Sequence, residues 1–84
     1  TEVHTADVAS IIRAGVADGT IRDEDPEVAA YGVVGTVGYY GHFHRTGRLD
    51  LDPDELAAFV GRFVVCALAS DESIARRVLA ARRP

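Results

Sequence analysis

The stretch from Leu56 to Leu68 constrains this chain more than any other. It reads Leu-Ala-Ala-Phe-Val-Gly-Arg-Phe-Val-Val-Cys-Ala-Leu, and Arg62 is its only polar side chain. In front of it stands Asp52-Pro53-Asp54-Glu55. Asp52 is placed to cap the amide of Glu55, Glu55 to reach back, and Pro53 to open the first turn, the reciprocal capping box of a helix start. The pattern predicts a helix over 53–69. A helix apolar on every side must be covered on more than one side. The chain has 84 residues, enough for one small domain. A domain of that size buries roughly 60–65% of its unfolded surface and usually needs a staple or a partner. Cys66 is the single cysteine, which excludes an internal disulfide, and no residues have zinc-ligand spacing. Cover must come from a second copy or from a further part of a longer chain.

Local punctuation divides the rest into three more helices. The first is expected over about 3–18, starting at Glu2 or Thr5, with Val8, Ile11, Ile12 and Val16 on one face and Gly19 as its C-terminal cap. Asp25-Pro26 is a second N-cap and proline start, so the next helix is expected over 26–45, ended by Gly47. Ser70 is read as the cap of a short fourth helix over 71–82, with Ile74, Val78 and Leu79 on one side. No segment alternates as a strand would. The expected fold is all-α, an antiparallel helical domain with a short C-terminal helix.

The second helix carries glycines at 32, 35, 38 and 41. Each costs up to about 1 kcal/mol relative to alanine inside a helix, so the set costs roughly 4 kcal/mol. Close approach of another helix backbone would offset that cost, because a missing Cβ lets the axes come nearer. The other reading is a loosely wound or kinked helix beside a cavity. Both point to packing or binding rather than to chemistry. Gly32, Gly35 and Gly38, with Leu56, Phe59, Val60, Phe63 and Val64, form the candidate dimer interface.

Charge and composition exclude several classes. Thirteen acids stand against nine arginines and no lysine, a net charge of −4. An acidic body argues against a duplex nucleic-acid surface, which needs a basic face. Only Arg76, Arg77, Arg82 and Arg83 cluster, at the end of a helix, where cations suit the dipole. The hydrophobic content of 48% excludes disorder. No apolar run reaches the ~18 residues of a membrane span, so no membrane partner is expected. Thr1 is not an initiator methionine and no secretion signal follows it, which fits a cytoplasmic piece of a longer chain.

The one polar-aromatic cluster is Tyr39-Tyr40-Gly41-His42-Phe43-His44. His42 and His44 point about 200° apart on a helix and cannot share a metal ion. Tyr40 with His44, and Tyr39 with Phe43, are four apart and meet on one face. Tyr31, Tyr39, Tyr40, His42 and Phe43 are the candidate ligand-binding residues, and interfacial aromatics are the plainer reading of the same side chains. Cys66 has no base beside it and reads as an inert core thiol. No nucleophile motif, phosphate-cradling loop, metal set or cofactor motif is present, so neither catalysis nor a cofactor is expected.

Taken in order, Ile11 to Arg22 with its Gly15-x-x-x-Gly19, then Asp25-Pro26-Glu27-Val28-Ala29-Ala30, then Asp52-Pro53-Asp54-Glu55-Leu56 before an apolar run, resemble the C-terminal half of TetR-family transcriptional regulators. The resemblance covers about residues 8–69 and rests on order and spacing. It implies an all-helical homodimer whose last two long helices form a four-helix bundle with the partner's pair. It also implies a small-molecule effector and an operator-DNA contact through an N-terminal helix-turn-helix. These residues contain no helix-turn-helix, so DNA binding would belong to a domain outside this sequence. The alternative is a free-standing helical protein–protein interaction module.

Overall fold

The computed structural model describes residues 5–81, which form four helices: α1 (Thr5–Asp18), α2 (Pro26–Arg45), α3 (Pro53–Leu68) and α4 (Glu72–Ala81). The fold is all-α, as expected. The expected helical residues 3, 4 and 82 lie outside the described range, and α3 ends at Leu68 with Ala69 as its cap.

Local chemistry sets the boundaries. The Asp25 carboxylate accepts the Glu27 and Val28 amides at 2.9 and 3.2 Å, with Pro26 in the first turn. The Asp52 carboxylate accepts the Asp54 and Glu55 amides, and Glu55 accepts the Asp52 amide at 3.3 Å, completing the capping box. α2 ends in a Schellman motif: Arg48 N–H donates to Phe43 O at 2.9 Å and Gly47 N–H to His44 O at 3.2 Å. Gly47 has φ +81°, the left-handed conformation this cap requires, and Gly19 has φ +85° at the end of α1.

The start of α4 differs from the sequence expectation. Asp71, not Ser70, is the cap: its carboxylate accepts the Ile74 amide at 3.0 Å and the Ser73 hydroxyl at 2.6 Å. Those two bonds, the hydroxyl first, hold the Asp71 carboxyl below the ordinary carboxylate range. The Ser70 hydroxyl is drawn away to donate to Gly19 O at 2.6 Å. Arg76 pairs with Glu72 one turn earlier in α4 at 2.9 Å.

α1 and α2 pack closely, while α2 and α3 meet at few points. The core is correspondingly thin. Ala9, Ile12 and Ala30 are buried, with Val8, Val16, Ile21, Ala29, Val33 and Leu68 around them. Ile12 is the one large side chain that is fully buried among the described residues. Ile11, expected on the same face, is 70% exposed, because α1 covers only a narrow stripe of α2. α3 has no buried residue in spite of its apolar sequence. Cys66 is exposed, correcting its expected place in a core, since nothing in the chain covers that side of α3.

The result is a slab with principal extents of 39 × 28 × 17 Å and a radius of gyration of 13.4 Å. A compact domain of this length has a radius near ~12 Å. The chain exposes 6132 Å². A compact 9.0 kDa monomer exposes about 4,900 Å². The surplus is on the order of 1,000 Å².

Candidate functional site

Besides Ile11, Leu51 and Val78, the exposed large apolar side chains lie along α2 and α3. Between them runs an apolar slot of about 470 Å³, lined from α2 by Val37, Tyr40 and His44 and from α3 by Leu56, Val60 and Val64. A smaller hollow of about 220 Å³ continues it toward the end of α3, between Ala29, Gly32 and Thr36 on one side and Phe63, Ala67 and Leu68 on the other. The volumes fall at and below the lower part of the range that small-molecule sites occupy.

Aromatic side chains cross this gap. The Tyr40 ring meets Phe59 and Phe63 edge-on, with centroids 5.5 and 6.3 Å apart. Phe59 and Phe63 stack on each other at 5.9 Å, as their spacing of four along α3 dictates. Arg62 lies 6.0 Å over the Phe59 ring, its charge turned to solvent. At the closed end His44 Nε2 is 2.8 Å from Leu51 O, tying α2 to the Thr46–Asp52 turn.

The aromatic residues singled out from the sequence do not converge on one pocket. Tyr40 enters the slot. Tyr39 and His42 lie with Gly35 and Gly38 on a shallow outer depression of α2. Phe43 stacks on Tyr39 at 6.0 Å and carries Arg48 at 5.8 Å. Tyr31 sits apart, beside Arg13 and Glu27 near the start of α1. His44, which is not in the candidate set, lines the slot one turn beyond Tyr40. Its spacing of four from Tyr40 was the usable signal. Among the described residues no group of three or more His, Cys, Asp or Glu side chains comes together.

Three of the four glycines of α2 do not serve packing within the chain; the fourth, Gly41, leaves room for the Arg45 side chain, whose Nη1 would lie 3.0 Å from a Cβ there. A Cβ placed on Gly32, Gly35 or Gly38 would meet nothing within 4 Å. α2 is nonetheless an unbroken helix, so its roughly 3 kcal/mol of helix-propensity cost at these three positions has no offset inside the monomer. Gly15 contrasts with them. A Cβ there would lie 2.4 Å from Ile21 Cδ1 and 2.6 Å from Ile21 Cγ1, so this glycine seats Ile21.

No helix of the described residues is long and apolar enough to cross a membrane. No protein-family model, curated protein or solved structure matches the chain.

Proposed function

We propose that this chain is the dimerisation and effector-sensing part of a TetR-like DNA-binding transcriptional regulator. The observation that carries the reading is α3: a helix apolar on all sides, with no buried residue, beside a glycine face of α2 that meets nothing. In the proposed homodimer α2 and α3 of each copy pair with those of the other as a four-helix bundle. The interface residues are Gly32, Gly35, Gly38, Leu56, Phe59, Val60, Phe63 and Val64. Burying about 1,000 Å² per partner provides the hydrophobic stabilisation that the thin core lacks. The effector is a small molecule with a largely apolar body, met in this chain by Tyr40 and the apolar side chains of the slot, whereas Tyr31, Tyr39, His42 and Phe43 lie outside that slot. A shift in helix packing would change the spacing of two DNA-reading heads carried by a preceding domain. Neither a reaction nor a cofactor belongs to this function.

Sedimentation of the 84-residue chain tests the dimer: a single species of twice the chain mass is expected. A stable, fully folded monomer at micromolar concentration would overturn it. The coding sequence upstream of Thr1 tests the regulator, which requires a basic helix-turn-helix within about 120 residues.

A further inference from the structure

Helix packing accounts poorly for how the two halves of this molecule stay together. The backbones of α1 and α3 do not come together, α4 approaches only α3, and α2 meets α3 at few points. The link is made elsewhere. Thr20–Arg22, after α1, pairs with Leu68–Ser70, at the end of α3, around an isolated antiparallel bridge between Ile21 and Ala69. Arg22 N–H donates to Leu68 O at 2.8 Å and Ser70 N–H to Thr20 O at 2.9 Å. The Ser70 hydroxyl donates to Gly19 O at 2.6 Å, and Arg22 Nη1 donates to Ala67 O at 3.3 Å. Among the described residues, every hydrogen bond spanning more than a dozen positions in sequence belongs to this clasp. Ile21 anchors it from below, packed on the Ala9–Ile12–Ala30 core and seated on Gly15.

We infer that this clasp is a releasable strap, the pivot by which α1 controls the position of the α3–α4 arm. The arm is otherwise held by the covalent turn at Thr46–Asp52, by the Tyr40–Phe59–Phe63 edge contacts and by Leu68, which packs against the Ala9–Ile12–Ala30 core beside the clasp. The apolar slot is large at the turn, about 470 Å³. A second hollow of about 220 Å³ adjoins it beside the clasp. Releasing the clasp leaves α1 on α2 and frees one end of α3, so the width of the slot changes without unfolding either half. A push on α1 reaches α3 through Gly15, Ile21 and two main-chain hydrogen bonds. Within the proposed regulator this is the regulatory element of the α2–α3 face, and it rests on that reading only for its purpose; the mechanical coupling stands on the clasp geometry alone.

Amide hydrogen exchange on the full chain tests it, because the Arg22 and Ser70 amides are themselves the clasp bonds. Gly15→Ala is the main variant. Alanine favours helix in α1 while its Cβ displaces Ile21, so α1 and the clasp should respond in opposite directions. The expected result is at least tenfold faster exchange at Arg22 and Ser70, a parallel rise through α3 and α4, and unchanged or slower exchange in α1. Ser70→Ala removes one clasp bond and is expected to speed the same amides about fivefold. Exchange that rises evenly through all four helices, or that stays at wild-type rates at Arg22 and Ser70, would overturn the strap. Sedimentation of the same variants separates the two proposals. A monomeric wild type with this exchange pattern removes the dimer and leaves the strap, whereas a dimer without it does the reverse.

Discussion

Replacing Gly35 or Gly38 with leucine has opposite consequences in a monomer and in a dimer. Within one chain the site is empty: a Cβ at either position meets nothing within 4 Å, and Gly38 is exposed. Leucine is the better helix former by roughly 0.7 kcal/mol, so an isolated monomer should become more stable by about that amount. If the glycine face is the seam between two copies, the same side chain overpacks a close helix contact. Overpacking costs about 1–3 kcal/mol at one site, and two-fold symmetry applies it twice, giving about 2–6 kcal/mol per dimer. The gain in helix propensity is common to both association states and cancels from the dissociation constant. At 1.4 kcal/mol per tenfold, dissociation constants should rise between roughly 30-fold and 10⁴-fold. Sedimentation equilibrium over a range of concentrations measures the constant, and far-ultraviolet circular dichroism of the same samples measures helicity. Weaker association with helicity maintained is the expected result. Unchanged association with a concentration-independent gain in melting temperature would refute the seam and leave the glycines without a role.

The remaining predictions concern local features. Asp52→Ala removes the α3 capping box and should cost about 1 kcal/mol, seen as a fall of about 5 °C in the melting midpoint. Tyr40→Ala removes the ring that bridges α2 to Phe59 and Phe63 and should cost about 2 kcal/mol in urea unfolding, whereas Tyr40→Phe keeps the ring and should stay within about 0.5 kcal/mol of wild type. Asp18, held low by the Thr20 hydroxyl and then the Thr20 amide, and Asp71, held low by the Ser73 hydroxyl and then the Ile74 amide, both ionise more readily folded than unfolded. Their contribution is therefore present above the ordinary carboxylate value of about 3.9 and is lost as the pH falls below it through their folded values. Melting curves from pH 6 to pH 2 should show that loss, and the double variant Asp18→Asn, Asp71→Asn should show a shallower one.

The helices were legible in the sequence because their ends are chemistry of neighbouring residues. Asp25-Pro26, the Asp52–Glu55 box, Gly19 and Gly47 each satisfy orphan amides or carbonyls within four positions along the chain, so no distant contact is needed to place them. The same locality made the failures specific. Ser70 and Asp71 are both capable caps, and Asp71 took the role because Ser70 is bonded to Gly19, 51 positions away. Ile11 and Ile12 are equally apolar, and only the crossing of α1 over α2 put one in the core and left the other 70% exposed. Cys66 fell outside any core for a related reason: an apolar neighbourhood in sequence does not say whether protein exists to cover it. The uncovered apolar surface itself was readable, since thirteen nearly unbroken apolar positions in 84 residues leave little protein to bury them, and α3 has no buried residue. Its place on the second and third helices was legible as well, from the apolar run at 56–68 and the glycines at 32, 35 and 38; tertiary structure alone revealed the clasp. Main-chain hydrogen bonds between Thr20–Arg22 and Leu68–Ser70 leave no side-chain pattern to read, because backbone amides and carbonyls are the same at every residue.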